Sequence, residues 1–296
     1  MSVTRDSLFD NGFLAKLEYL ELIARRLVFG RQQALRPSVK KGASTEFKDF
    51  REYTHGDDPR TVDWSVYARL GHLVIKLFRQ EEELDLWVLL DSSASMNFGE
   101  PNKFDHARRI AAALAYIGMS NMDSAGVTPY AAGLIAGRER LRGRGRVFEL
   151  LDFLAALPAK GTTDLPNTVR EFVSRVRRPG LVVVISDFYG LQQAQKALDQ
   201  LRFFKHQLFV IQVASPWELD PPLRGELRLV DVESDRGEEL TITDSMLRRY
   251  RKAFEQLTTD LRSYGMRYGI GSAMARTDVP FEEFLLGVLQ RGGLVA

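Results

Sequence analysis

The chain has 296 residues, an apolar fraction of 45%, a charged fraction of 27% and a net charge of +2 from 41 basic and 39 acidic residues. That is enough chain to bury a sizeable core and an ordinary composition for a globular protein, and the total charge alone does not point to polyanion binding. No cysteine is present, which excludes disulfides, thiolate metal sites and cysteine nucleophiles together.

The N-terminal residues thread charges through their apolar positions and lack the pattern of a signal peptide. No stretch reaches the roughly 20 apolar residues that span a bilayer, so a soluble, cytoplasmic protein without a membrane span is expected. Residues 10–29 place Phe13, Leu14, Leu17, Leu20 and Leu27 at helical spacings, which predicts an amphipathic packing helix. Residues 30–42 are basic and read as a solvated loop. Residues 46–53 alternate as a strand, and Gly56 to Pro59 marks a turn. Asp58 before Pro59 is an N-cap with proline at the first helical position, predicting one short helix over 59–70 closed by Gly71. Residues 73–78 read as a strand, and Glu81 to Glu83 as a solvated acidic turn. The Asp and Arg residues between 51 and 69 are expected to cap and pair with one another, with a partner-binding surface as the alternative.

Residues 84–96, LDLWVLLDSSASM, are the most informative stretch. A nearly unbroken apolar run fits a strand covered on both faces, and it delivers Asp91, Ser93 and Ser95 to a turn at its carboxyl end. A long alanine-rich helix follows over 103–122, then a strand over 125–132, where Pro129 suits a sheet edge better than a centre. The segment 137–146 carries arginines at 138, 140, 142, 144 and 146 among glycines. It lacks interleaved aromatics and reads as a mobile hairpin or loop, so nucleic acid is disfavoured as a partner. Helices are predicted over 147–157, 166–176, 191–203, 244–264 and 280–290. Strands are predicted over 180–187, 207–213 and 267–270, with a short hairpin from 227–232 and 239–243. From about residue 82 onward this alternation predicts an α/β fold with a doubly wound, mostly parallel sheet, preceded by a helix and strand extension.

Such sheets place ligands beyond the carboxyl ends of their strands. Three loops are expected there: one with Asp91, Ser93 and Ser95, one with Thr162, Thr163 and Asp164, and one with Asp187. These oxygens, without histidine or cysteine, suit Mg²⁺ or Mn²⁺ better than zinc. A hydrolase or phosphotransferase using Asp91 as nucleophile is the competing reading. It lacks a second aspartate at DxD spacing and an evident positioned acid or base. No GxxxxGK[ST] phosphate loop is present, so ATP hydrolysis is not expected.

DSSAS at 91–95, GTTDL at 161–165 and ISD at 185–187 resemble the metal-ion-dependent adhesion site of a von Willebrand factor A-type domain. The stretch 46–83, EFKDFREYTHGDDPRTVDWSVYARLGHLVIKLFRQEEE, resembles the signature of a bacterial family of unknown function whose A-type domain is commonly encoded beside MoxR-type AAA+ ATPases. The alternation that starts near residue 82 divides the chain into an extension over 1–81, expected to pack on the main domain, and a main domain over 82–296, which the resemblance makes von Willebrand factor A-like. The resemblance implies a metal site in which Ser93 and Ser95 are direct ligands, Thr163 ligates directly or through water, and Asp91 and Asp187 act through coordinated waters. Phe188 stands where such domains commonly have glycine. The implied function is a non-enzymatic, metal-dependent protein-binding module, an adaptor or co-chaperone. Its partner would be a MoxR-type ATPase, or another protein that offers an acidic side chain to the metal.

Overall fold

A computed structural model describes residues 5–10, 12–32, 47–55, 57–78, 85–121, 124–230 and 237–291. The basic segment from residue 33 to 42 and the acidic run at 81–83 lie outside them. The chain divides into two compact units, one formed by Met1–Gln32 with Leu84–Ala296 and the other by Gln33–Glu83. In chain order the elements are α1 (Arg5–Leu8), α2 (Phe13–Gln32), β1 (Phe47–Glu52), α3 (Trp64–Leu70), β2 (Val74–Phe78), β3 (Asp85–Asp91), α4 (Lys103–Asn121), β4 (Ser124–Tyr130) and β5 (Arg138–Leu141). There follow α5 (Val147–Ala156), α6 (Leu165–Arg175), β6 (Leu181–Ser186), α7 (Leu191–Phe203), β7 (Gln207–Ala214), α8 (Pro216–Leu219), β8 (Gly225–Val230), β9 (Gly237–Ile242), α9 (Asp244–Tyr268), β10 (Gly271–Arg276) and α10 (Phe281–Gln290).

The smaller unit is an antiparallel β1–β2 pair with α3 between its strands in sequence. The single helix expected over 59–70 is two pieces. Asp58 caps a turn of 3₁₀ helix at Pro59–Thr61, Val62 is extended and bridges Ile75, and Asp63 then caps α3 by accepting from Ser65 N and Val66 N. A second aspartate in capping position restarts the helix after the extended residue. Gly71 closes α3 in the left-handed conformation, as expected. Arg51 Nη2 donates to both carboxylate oxygens of Asp57 at 2.8 and 2.9 Å, and Asp57 also accepts from Thr54 N, so the clustered charges here cap and pair within the unit.

The larger unit is mixed α/β. Its six-stranded sheet has the order β10-β7-β6-β3-β4-β5, parallel except for the edge strand β5. β3 and β4 are buried along their whole length, which explains the near-continuous apolar run of β3 and the small and apolar residues of β4. One face of the sheet is covered by α4 and α10, against which α2 and α5 pack in turn, and Leu17, Leu20, Ile110, Leu150, Leu154 and Leu285 belong to the core there. The other packs against α6, α7 and α9 through Val169, Phe172, Leu198, Leu201 and Leu261. The N-terminal helix therefore belongs to the core of this unit. No helix among the described residues is long and apolar enough to cross a membrane.

Three expectations change. β4 is an inner strand despite Pro129. The Pro129 carbonyl accepts from Ile135 on the side of β5, beyond that strand's first residue, so the proline nitrogen faces a gap in the ladder and no sheet hydrogen bond is lost. The arginine-rich segment forms β5 and a 3₁₀ turn at Arg144–Arg146, and Arg138, Arg140, Arg144 and Arg146 pair with Glu149, Asp85, Glu21 and Glu149. The last strand lies at 271–276, because α9 runs on to Tyr268 and Gly269 ends it in a left-handed cap. β10 has little apolar alternation, being an edge strand whose residues are mostly half-buried.

Candidate metal centre

After β3 the chain moves to β4 and β5 on one side of it, then returns to β6, β7 and β10 on the other. Crevices form where strand order reverses, beyond the carboxyl ends of the strands. Here β3 ends in Asp91 and its neighbour β6 ends at Ser186, so the loop carrying Asp187 emerges beside the loop carrying Ser93 and Ser95. Backbone hydrogen bonds lace the loop carrying Thr163 to the one carrying Ser93 and Ser95: Ala94 N donates to Gly161 O at 2.8 Å and Lys160 N to Ser92 O at 2.7 Å.

Asp91 is fully buried. Its Oδ1 accepts from Ser93 N at 2.9 Å and its Oδ2 from Ser186 Oγ at 2.7 Å, while Thr163 Oγ1 stands 3.5 Å from both oxygens. Burial, with the charge of Asp187 added, pushes the Asp91 carboxyl up to about 6. The Ser93 and Ser95 hydroxyls lie 3.1 Å apart. A cleft of about 380 Å³ opens over this cluster and is lined by Ser95, Thr163 and Asp187, with Phe188, Tyr189 and Gln193 at its side. Asp91 does not line it.

The structure thus gathers Asp91, Ser93, Ser95, Thr163 and Asp187 at one sheet edge. It sets apart Asp164, whose side chain caps α6 by accepting from Asn167 N at 2.9 Å. All the gathered donors are hard oxygens, a set that fits Mg²⁺ or Mn²⁺. Among the described residues no three His, Cys, Asp or Glu side chains cluster as a metal site, so a cation here would rest on hydroxyls as much as on carboxylates.

Several residues of the centre escaped sequence reading. Ser186 orients Asp91, and Phe188 N donates to Ser186 Oγ at 3.1 Å. Phe188, noted in the sequence, has φ +58, the left-handed region that favours glycine. Most consequential is Lys103, fully buried at the start of α4. Its ammonium donates to Asp187 Oδ2 at 2.9 Å and to Glu218 Oε1 at 2.6 Å. Glu218 is held by a capping box on α8, its Oε2 accepting from Ser215 N at 2.8 Å, and Tyr189 OH donates to its Oε1 at 2.6 Å. Burial and the adjacent Glu218 push the Tyr189 phenol well above its ordinary range. Two cues were present in the sequence. A lysine opening an alanine-rich helix sits against the helix dipole, and SPWE at 215–218 is a capping-box pattern.

Sheet and site together define the class: a mixed α/β protein with a mostly parallel central sheet and an oxygen-lined carboxyl edge. The chain belongs to the family described as "Protein of unknown function DUF58", which matches residues 49–264. The uncharacterized protein Rv1480 of Mycobacterium tuberculosis is 29% identical over 258 residues, covering 85% of this chain and 81% of that protein. Among solved structures, the conserved hypothetical protein BatB from Bacteroides thetaiotaomicron is 15% identical with a TM-score of 0.42, over 70% of this chain and 96% of the other. An aerotolerance-related membrane protein from Bacteroides fragilis is 17% identical with a TM-score of 0.41, over 70% and 99% of the two chains.

Proposed function

We propose that this chain is a non-enzymatic, metal-dependent protein-binding module whose carboxyl-edge site is a von Willebrand factor A-type adhesion site for Mg²⁺ or Mn²⁺. What carries the reading is the meeting of Asp91, Ser93, Ser95, Thr163 and Asp187 from three loops beneath an open cleft. Ser93, Ser95 and Thr163 would hold the cation, with Asp91 and Asp187 beneath and beside them. A bound cation would supply a Lewis-acidic point charge that two protein carboxylates and neutral hydroxyls leave partly unsatisfied. The residues around it shape the partner group. Ser95, Thr163 and Asp187 face the cleft, and Phe188 and Tyr189 wall it, so one extended acidic side chain from another protein fits the opening.

The buried position of Asp91 speaks against its use as a nucleophile, because its two oxygens accept from Ser93 and Ser186 and it does not line the cleft. The partner class, a MoxR-type AAA+ ATPase in the cytoplasm, rests on the resemblance of residues 46–83. The test is capture of the ATPase encoded beside this chain. Capture should require Mg²⁺ or Mn²⁺, should be lost in EDTA, and should weaken at least about tenfold for Ser93→Ala or Asp91→Ala, a change of about 1.4 kcal/mol. Circular dichroism would confirm that each variant is folded. Undiminished capture in EDTA would sink the metal bridge, and phosphatase turnover abolished by Asp91→Asn would restore the enzyme reading.

A further inference from the structure

We infer that Lys103 sets the affinity of the metal site by competing with the cation for Asp187, an inference that rests on the metal reading above. A buried ammonium is expensive to desolvate, and this one is kept by two carboxylates and by the rings of Phe98 and Tyr189, whose centroids lie 5.9 and 5.2 Å from Nζ. Its two carboxylates are unequal in role. Glu218 is fixed from α8 by its capping box and by Tyr189, and it does not line the cleft over the site. Asp187 lines the cleft and is therefore shared: its Oδ2 takes the ammonium, and among the described residues its Oδ1 accepts a long contact of 3.4 Å from Tyr189 N. Charge donated to Lys103 is charge withheld from a cation. The site consequently binds its metal weakly and leaves it electron-poor toward a partner's carboxylate. Glu218 acts as the counterweight, because the more firmly it holds the ammonium, the more of Asp187 remains for the metal.

Two variants of the full chain move metal affinity in opposite directions. Lys103→Met with Glu218→Gln removes one positive and one negative charge together, so net charge is conserved while Asp187 is released. Glu218→Gln alone leaves the ammonium with Asp187 as its only full charge. Titration with Mn²⁺, followed calorimetrically and by the paramagnetic signal of free Mn²⁺, should show at least about tenfold tighter binding for the double variant and several-fold weaker binding for Glu218→Gln. A purely structural Lys103 could only loosen the site. Equal or weaker binding by a folded double variant, as judged by thermal melting, overturns the inference while leaving the metal site standing. If the double variant does not fold, Glu218→Gln decides, and unchanged affinity there overturns it. Absence of Mn²⁺ binding in the wild-type chain and in both variants overturns the metal reading and this inference with it.

Discussion

His106 is 4% exposed on α4, and its Nε2 has no hydrogen-bond partner among the described residues. Burial, reinforced by Arg109, lowers its pKa from 6.5 to about 4, against the opposing charges of Glu282 and Asp278. Between those values the folded chain binds fewer protons than the unfolded one. The neutral imidazole's contribution is complete above pH 6.5 and is lost as pH falls toward 4, about 3 kcal/mol in all. His106→Phe should abolish that loss, seen as a variant-minus-wild-type difference in urea midpoint that grows from pH 7 to pH 4.5; a constant difference would refute it. Comparing the two chains matters because Asp91 has the opposite slope. Its raised pKa gives stability in acid that is lost as pH rises from 3.8 to about 6. At this scale the sequence showed the oxygen donors, since DSSAS, GTTDL and ISD are contiguous strings. It did not show Lys103, Glu218 or Ser186 as partners, because nothing in a helix's own periodicity says which distant carboxylate its first residue will meet.

Strand packing at the start of the sheet turns on Gly180. A Cβ there would stand 2.5 Å from Asp85 O, while Gly180 N donates to His206 Nδ1 and its carbonyl accepts from Gln207 N, so β3, β6 and β7 begin at one crowded point. Backbone cannot yield as a side-chain tip does. Gly180→Ala should destabilise the chain by about 1–3 kcal/mol through displacement of β6 against β3, read as a lower urea midpoint. An unchanged midpoint would show that the contact relaxes freely. Elements with strong patterns were legible: β3, β6 and β7 as apolar runs, and α4 and α7 as periodic segments. α3 and β10 were not. The first is divided by one extended residue between two aspartate caps, and the second is a small-residue edge strand beyond a helix that tolerates Gly265. The arginines of β5 read as a mobile hairpin or loop; β5 does pair back on β4, but the acidic partners of its arginines lie on other elements and were not visible locally.

For the molecule as a whole, a cation that binds only the folded state stabilises it by mass action. Mn²⁺ at about 100 times its dissociation constant should add about 2.7 kcal/mol, which for a unit of this size raises the melting temperature by several degrees. Differential scanning fluorimetry with and without EDTA checks this, and Ser93→Ala should abolish the shift. An equal shift in that variant would place the cation elsewhere. The larger unit is the one to follow in such melts, since it holds both sheet faces, the N-terminal helix and all five proposed metal residues.

By itself the sequence determined the α/β alternation, the buried central strands and the hard-oxygen character of the site, because periodicity and residue type are local properties of the chain. Tertiary structure decided that β6 lies beside β3, that Asp164 caps a helix instead of joining the site, and that an ammonium from α4 reaches Asp187 and Glu218, 84 and 115 residues away in sequence. The reason is strand order. Contacts at such separations exist only once β6 and β7 have been laid against β3, and no local pattern encodes that arrangement.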